Sequence, residues 1–293
     1  MNYIILDLEW DSTFFKAQKR FINQILQIGA VKLNESFEII DTFEVTIKSA
    51  ISNKVTGRFA RLTGITNEIM RHGVPFSEAV SRYNNWVGDN AVTMTWSNSD
   101  LYTIVSNEED LLNGKRFRIE KYLDLQKFIQ NEMCLRGYTD KNQVSLSLAA
   151  EFIGVETGNI DFHTAKDDSL VAAYLLKECY NKERFFPLIK DATNPEFFKR
   201  LKFKSYSISN LKDEHIDKKY LEFKCPKCNK KAKRVSKWKY SNRWFSANFI
   251  CDCGERFSGR VMFRQTYDEL IVKQKICDFK EKKPKIKQEE AKV

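Results

Sequence analysis

Three strand-like apolar runs within the first 47 residues limit the possible folds of this chain more than any other feature. They are NYIILDLEW, QILQIGAVKL and FEIIDTFEVTI, and the short polar link NES between the last two is typical of a hairpin. Farther along, strand and helix patterns alternate: AVTMTW is a strand pattern, and FSEAVSRYNNWVGD and AKDDSLVAAYLLKECYN have the apolar period of amphipathic helices. A hairpin-linked trio of strands followed by this alternation predicts an α/β domain with a mixed sheet.

Acidic side chains lie on the first predicted strand. Asp7 and Glu9 are two residues apart, so both point to the same face. Two carboxylates at the end of an apolar strand repel each other, and a cation between them would explain the pair; a solvated strand edge is the alternative. Asp100 follows AVTMTW through the link SNS. It is either the N-cap of the next helix or, if the two strands are neighbours, a third acid near the first two.

A second acidic pair, Asp167 and Asp168, stands at the start of the last long helix. Thr164 fits the N-cap position, which puts Asp167 at the third helical position, where its carboxylate supports the cap and the helix dipole. Asp168 lies about 100° farther round, in line with the apolar stripe of the helix. We therefore expect Asp168 to point at the sheet and to join Asp7 and Glu9.

His163 precedes this helix on a predicted loop. A lone histidine on a loop is most often a solvated surface residue. Beside a cluster of carboxylates and a bound cation, however, an imidazole is well placed to deprotonate a water molecule.

The order Asp-x-Glu, Asp, His-x4-Asp resembles the DEDDh group of 3′→5′ exonucleases, whose ribonuclease H-like fold has a mixed five-stranded sheet flanked by helices. Asp7 and Glu9 match the first motif, Asp100 matches the second, and His163 and Asp168 match the third. The stretches ILQIGAVKL and RLTGITNEIMRHGVPFSEAV are also similar to this family. They are most similar to its RNase T-like and enhanced-RNAi branch and to the bacterial relatives described as inhibitors of a sporulation-kinase pathway. The resemblance covers roughly the first 185 residues.

This resemblance implies hydrolysis by a two-metal mechanism. Two Mg²⁺ or Mn²⁺ ions, which suit hard oxygen ligands, would be held by Asp7, Glu9, Asp100 and Asp168. His163 would activate the attacking water. The product would be a nucleoside 5′-monophosphate released from the 3′ end, with RNA favoured over DNA by the branch.

Three apolar residues are candidates for contacts with the substrate. Trp10, Leu62 and Ile65 occupy places at which relatives pack side chains against the terminal bases. Ordinary core packing is the alternative for each of them.

Four of the seven cysteines form two close pairs, CPKC and CDCG, which are separated by 22 residues. Four thiolates make a closed structural zinc site, here formed by Cys225, Cys228, Cys251 and Cys253. The second pair is Cys-x-Cys, whereas Cys-x2-Cys is the usual spacing. Free thiols in a small core are the alternative.

Aromatic residues alternate with Lys and Arg between the two cysteine pairs, in KKAKRVSKWKYSNRWFSANFI. In a β-hairpin, Trp238, Tyr240 and Trp244 would stack on bases while the cations meet phosphates, although some of the aromatics are expected to fill the core. The region resembles a zinc ribbon. From residue 196 on, the chain has 27 Lys+Arg and 13 Asp+Glu, against 22 and 26 before it. This charge favours nucleic acid as the partner, and solubility is the alternative. We expect single-stranded nucleic acid, and the resemblance to the branch favours RNA.

These patterns predict four segments and a cytoplasmic protein. The segments are an exonuclease domain at 1–185, a polar connector at 186–219, a zinc-ribbon-like nucleic-acid-binding module at 220–270 and a basic, disordered tail at 271–293. The chain has neither a run of 18 apolar residues nor a signal-peptide pattern, so we expect no membrane association.

Three functions are compatible with these residues. The leading hypothesis is a metal-dependent 3′→5′ exonuclease acting on RNA, and a DNA exonuclease in proofreading or repair is the second. A non-catalytic nucleic-acid-binding regulator is disfavoured, because the acidic set is complete.

Overall fold

The computed structural model describes residues 1–112, 114–156 and 164–279. The chain divides into two compact units, Met1–Leu201 and Lys202–Val293. The strands of the first unit are β1 Asn2–Phe15, β2 Arg20–Leu33, β3 Ile39–Lys48, β4 Val74–Pro75, β5 Ala91–Thr95, β6 Lys121–Asp124 and β7 Lys190–Asp191. The helices are α1 Gly57–Thr63, α2 Asn67–His72, α3 Phe76–Val87, α4 Ser99–Leu111, α5 Leu125–Leu135, α6 Leu146–Ile153, α7 Ala165–Cys179, α8 Lys182–Phe185 and α9 Pro195–Lys202. None of these helices combines the length and the apolar content that spanning a membrane requires.

The sheet of the first unit is mixed. Over the described residues its strand order is β4-β3-β2-β1-β5-β6-β7. The first three strands pair antiparallel, as the hairpin-linked trio predicts, whereas β5 joins β1, and β6 joins β5, in parallel. The body of the sheet is β3-β2-β1-β5-β6, and β4 and β7 add only two residues at either edge. The predicted five-stranded mixed sheet with flanking helices is confirmed.

The central strand β1 is longer than the sequence pattern indicates. Its parallel pairing with β5 ends at Ile5, but its antiparallel pairing with β2 continues to Phe15. Asp7 and Glu9 therefore lie in the middle of a strand and not at its end, because the apolar run stops where β5 stops and β2 alone continues.

The pairing of β1 with β2 is interrupted once, opposite the step from Glu9 to Trp10. Leu26 is the extra residue of a bulge at this point, and a bulge bends its strand and increases the local twist. The side chain of Leu26 belongs to a small separate core together with Phe59, Ile65 and Met70.

Two apolar cores cover the two faces of this sheet, because side chains alternate along β1. Ile4, Leu6 and Leu8 belong to the core that includes α3 and α4. Tyr3 and Ile5 belong to the core that includes α5, α6 and α7.

The second unit is built on an antiparallel sheet. Its strands are β8 Tyr206–Ser207, β9 Lys233–Arg234, β10 Lys239–Ser241, β11 Trp244–Ile250, β12 Arg256–Gln265 and β13 Leu270–Asp278. Over the described residues the order is β10-β11-β12-β13, with β8 paired to β12 and β9 to β11. One face of the sheet packs on a core rich in phenylalanine, formed by Phe223, Phe245, Phe249, Phe257 and Phe263.

Two segments differ from the pattern that the sequence predicts. The stretch 186–219, predicted as a polar connector, contains β7, α9 and β8. The prediction of a disordered tail from residue 271 is wrong as far as Asp278, because β13 pairs with β12 along its whole length and places Leu270 and Val272 against the core. Lysines at alternate positions of β13 give this strand the composition of a charged tail.

Candidate active site and cysteine cluster

Three carboxylates from two elements converge on one face of the first sheet. By alternation along β1, Asp7 and Glu9 continue the row of Tyr3 and Ile5, so they face α7. Asp168 points back at the strand from α7, and ligand oxygens of the three residues lie within 4.8 Å of one another. All three side chains are partly exposed, so the cluster is accessible from solvent.

Asp100 lies beside this cluster at the start of α4. Asn98 occupies the cap position, so the structure excludes the N-cap alternative for Asp100, which is the second residue of the helix. Its side chain is buried, close to the backbone N–H groups of Leu8 and of Asp100 itself. Its Oδ1 has no hydrogen-bond partner among the described residues. A buried carboxylate oxygen without a donor is suited to a cation.

Burial and mutual repulsion raise the pKa values of these carboxyls. Burial, followed by the charges of Asp100, Asp168 and Glu9, raises the pKa of Asp7 well above its usual value. Burial, followed by the charges of Asp168 and Asp100, raises the pKa of Glu9 to about 8. Burial also raises the pKa of Asp100 to about 8, although the nearby backbone N–H groups of Asp100 and Leu8 favour the charged form.

This donor set fits divalent cations. In the described part of the chain, Asp7, Glu9 and Asp100 form no ion pair with a basic side chain. Carboxylate oxygens are the hard ligands that Mg²⁺ and Mn²⁺ prefer. A bound cation would also offset the repulsion that raises the pKa values, so the site and the ion stabilise each other.

A glycine in β2 allows α7 to reach the acidic face. Gly29 is paired with Asp7, and a Cβ built on Gly29 would lie 2.2 Å from both the carbonyl carbon of Ala165 and the amide nitrogen of Lys166. The first turn of α7 therefore rests directly on the backbone of β2. Ser169 tightens this turn by donating to the carbonyl of Ala165 at 2.8 Å. The sequence analysis missed Gly29, although a lone glycine inside a strand pattern signals such a close approach.

The start of α7 is fixed by the predicted cap. The hydroxyl oxygen of Thr164 accepts a hydrogen bond from the backbone N–H of Asp167 at 3.2 Å. The cap is confirmed, but the carboxylate of Asp167 takes no part in this bond. Asp168 stands in line with the buried Ala172, as the stripe predicts. His163 lies outside the described residues.

A cavity of about 280 Å³ opens beside Glu9. Trp10 and Leu62 line it, and Leu62 is 47% exposed, so a ligand can reach both side chains. Ile65 is only 3% exposed and packs with Phe59 in the small core around Leu26. Of the two alternatives for Ile65 the structure shows core packing, because its side chain, which follows α1, packs with Leu26 and Phe59.

Asp11, a residue of β1 that the sequence analysis missed, lines this cavity and is held there by hydrogen bonds. Asp11 accepts hydrogen bonds from the backbone N–H and the hydroxyl of Thr56, at 2.6 and 2.8 Å. The hydroxyl oxygen of Thr56 in turn accepts from the N–H of Phe59 and caps α1. The sequence does indicate this residue, because Asp11 is the third acid at alternate positions of LDLEWD, after Asp7 and Glu9.

The four paired cysteines of the second unit converge around one point. The Sγ atoms of Cys225 and Cys253 are 3.6 Å apart, those of Cys228 and Cys251 are 3.4 Å apart, and all four lie within 4.8 Å of one another. Disulfide sulfurs would be about 2.05 Å apart. Thiolates about 2.3 Å from a tetrahedral zinc ion are roughly 3.8 Å apart. The set therefore fits a zinc ion, and the Cys-x-Cys spacing does not keep the second pair from joining it.

The three aromatic candidates of this unit have different surroundings. Trp238 contacts the rings of Phe223 and Phe249 and belongs to the core side. Tyr240 packs on Phe245, with 41% of its surface exposed. Trp244 alternates with the buried Phe245 along β11 and so lies on the opposite face.

A mixed sheet with flanking helices and an acidic cluster on its central strand defines the ribonuclease H-like nucleases as a class. Within this class, the model of the exonuclease family (RNase_T) matches residues 4–176, which is more than half of the chain. The chain therefore belongs to this exonuclease family.

Curated relatives and solved structures share the same region. The DNA polymerase III subunit epsilon of Aquifex aeolicus is 25% identical over 177 residues, which cover 60% of this chain and 79% of that protein. The PolC-type DNA polymerase III of Thermotoga petrophila is 24% identical over 172 residues, which cover 59% of this chain but only 11% of that protein. The nuclease domain of 3′hExo, a DEDDh family member bound to rAMP, has a TM-score of 0.51 and 20% identity, over 60% of this chain and 90% of that chain. This likeness shows a shared fold.

Replacing Gly29 with Ala tests how α7 is held. The added methyl group has no room, so α7 must shift and separate Asp168 from Asp7. We expect the free energy of unfolding to fall by about 1–3 kcal/mol in chemical denaturation, and calorimetric Mn²⁺ binding to weaken. Gly57→Ala is the matched control, because a Cβ there meets only Arg61, at 3.7 Å. Equal stability and equal Mn²⁺ affinity in the two variants would contradict this account.

Replacing Cys225 with Ser tests the cysteine cluster. The loss of one thiolate leaves an incomplete ligand set, and zinc binding is coupled to the folding of small modules. We expect the zinc content, measured by atomic absorption, to drop well below about one ion per chain. Limited proteolysis should also cut the second unit faster. Cys134→Ser, which removes an exposed thiol of the first unit, is the control; if both variants keep their zinc, the assignment is wrong.

Proposed function

We propose that this chain is a divalent-cation-dependent 3′→5′ exonuclease that hydrolyses the terminal phosphodiester bond of single-stranded RNA and releases nucleoside 5′-monophosphates. The observation that carries the proposal is the convergence of Asp7, Glu9 and Asp168, with the buried Asp100 beside them. A cluster of four carboxylates repels a phosphodiester unless cations lie between them. Such a set is suited to phosphoryl chemistry through bound Mg²⁺ or Mn²⁺.

The proposed roles follow from what holds each side chain. Asp7 and Glu9 project from a strand paired through both residues, Asp100 is buried in the first turn of α4, and Asp168 lies in the first turn of α7. When bound by these four residues, two divalent ions supply Lewis-acid stabilisation to the attacking and leaving oxygens. The carboxylates contribute preorganisation, because none has to move far to form the site. His163, outside the described residues, is the proposed base that takes the proton from the attacking water.

The cavity beside Glu9 is the proposed place of the terminal nucleotide. Trp10 and Leu62 offer apolar surface against which a base can pack, and Arg58 on the same wall offers a positive charge to a phosphate. Ile65 contributes only by supporting α1 from the core.

RNA is the proposed substrate because the LTGIT stretch and its surroundings resemble the enhanced-RNAi exonuclease branch. DNA is the second candidate. It is favoured by the two curated relatives, which by name are DNA polymerase III proteins. A non-catalytic role is disfavoured by the complete acidic set.

The second unit is proposed to be a zinc-ribbon-like module that binds nucleic acid. Its four clustered thiolates would hold one structural zinc ion. Reduced thiolates of this kind suit a reducing compartment, so we place the enzyme in the cytoplasm.

Comparing Asp168→Asn with Asp167→Asn tests the proposed chemistry at neighbouring positions. Asp168→Asn removes a cation ligand and should reduce turnover of a 5′-labelled single-stranded oligonucleotide with Mn²⁺ to background. Asp167→Asn removes only a charge near a helix N-terminus, at a cost of about 0.3–1 kcal/mol of stability, and should keep its turnover. Near wild-type activity of the Asp168 variant would overturn the assignment.

The same assay with RNA and DNA of matched sequence decides the substrate class. Ladders that shorten from the 3′ end, with nucleoside 5′-monophosphates as products, are expected, and the faster ladder should be RNA. A faster DNA ladder would replace the first candidate by the second.

A further inference from the structure

One face of the sheet in the second unit packs on the core, and the other is partly exposed. Along β11 the odd positions Phe245, Ala247 and Phe249 are buried, so the even positions point the other way. We call this second side the outer sheet face. Its charged and aromatic members on β10 to β13 are Lys239, Trp244, Arg256, Arg260, Arg264, Lys273 and Lys275.

Strand register aligns three of these cations in one row. Lys239 is paired with Ser246, Ser246 with Arg260, and Arg260 with Lys275. Directly paired residues share a face, and neighbouring strands are about 4.8 Å apart. The row therefore crosses four strands and spans roughly 14 Å.

The outer sheet face lacks compensating negative charge. None of the outward positions of β10 to β13, all within the described residues, is Asp or Glu. Lysines elsewhere in this unit do have acidic partners, as in the pairs Lys219–Asp217 and Lys231–Glu222. Like charges facing each other across strands are destabilising, so this arrangement favours an anionic partner.

Planar groups lie among the cations. The guanidinium of Arg260 lies 5.1 Å from the ring centre of Trp244, and the ammonium of Lys275 lies 5.8 Å from it. The Nε of Arg260 is buried and has no hydrogen-bond partner among the described residues. An indole beside a guanidinium plane is a surface on which bases stack.

We propose that the outer sheet face binds single-stranded nucleic acid, with the row of Lys239, Arg260 and Lys275 on phosphates and Trp244 as the stacking platform. The proposal rests on the proposed exonuclease function in one respect: that function identifies the expected polyanion as nucleic acid. A second attachment point on the same chain raises the affinity for long strands by effective concentration. Trp238 and Tyr240, which belong to the other side of the sheet, are not part of this surface.

The test is fluorescence anisotropy of the full chain with a labelled RNA of about 20 nucleotides, without added divalent ion. Changing Lys239, Arg260 and Lys275 together to Gln should weaken binding at least about tenfold. It should also reduce the slope of log K against log salt by about 2, since each phosphate contact of a single strand contributes about 0.7.

A second variant separates the contribution of stacking to RNA affinity from that of charge, and a matched control tests for a general loss of positive charge or of folding. Trp244→Ala should weaken binding about tenfold with the salt slope unchanged. Changing Lys212, Lys218 and Lys230 to Gln removes as many exposed cations from outside the outer sheet face and should leave affinity and slope unaltered. Equal binding by the face variant and this control would overturn the proposal.

Two further outcomes keep this proposal distinct from the exonuclease function. If the face variant loses binding to phosphatidylserine vesicles but not to RNA, the surface serves a membrane and the proposal is wrong. The anisotropy assay requires no turnover. A wild-type chain that binds RNA through this face but hydrolyses no oligonucleotide would refute the proposed activity and leave this inference standing.

Discussion

Repulsion among four carboxylates is the constraint on which the first unit depends. Asp7 and Asp168 would separate if either element could move, because each charge raises the cost of ionising the other. The long pairing of β1 with β2 prevents β1 from moving, and the contact with Gly29 prevents α7 from moving. The cap at Thr164 fixes where the helix begins, and so which of two adjacent aspartates faces the strand. The fold thus holds the carboxylates rigidly, and a bound cation is expected to supply the positive charge that offsets their repulsion.

The two faces of the sheet in the second unit differ in their side chains and in their proposed roles. One side carries the phenylalanines that pack near the cysteine cluster, and this core is small. A metal ion held by the four thiolates would add stability on this side. Stability drawn from that side leaves the residues of the outer sheet face free to serve recognition. Trp244 and Arg260, which lie against each other on the outer sheet face, illustrate this separation.

The periodicity of the sequence is sufficient to predict features that depend on a single strand or helix. It predicted that Asp7 and Glu9 share a face, and that Asp168 rather than Asp167 points inward. It could not predict features set by contacts between elements. The close approach at Gly29 depends on where α7 crosses β2, and the burial of Ile65 depends on the bulge in the neighbouring strand. The same limit applies to β13, whose alternating lysines match a disordered tail until its partner β12 is known.

The acidic cluster is proposed to be a cation site whose carboxyls hold protons when no cation is bound. Calorimetric titration with Mn²⁺ between about pH 6 and pH 8, in buffers of different ionisation enthalpy, tests it most directly. Because the pKa values of Glu9 and Asp100 are raised to about 8, a cation must displace protons at the lower pH. Affinity should therefore rise as the pH approaches 8, with proton release at about pH 6 that Asp100→Asn reduces. An affinity independent of pH, with no proton released on binding, would contradict the account.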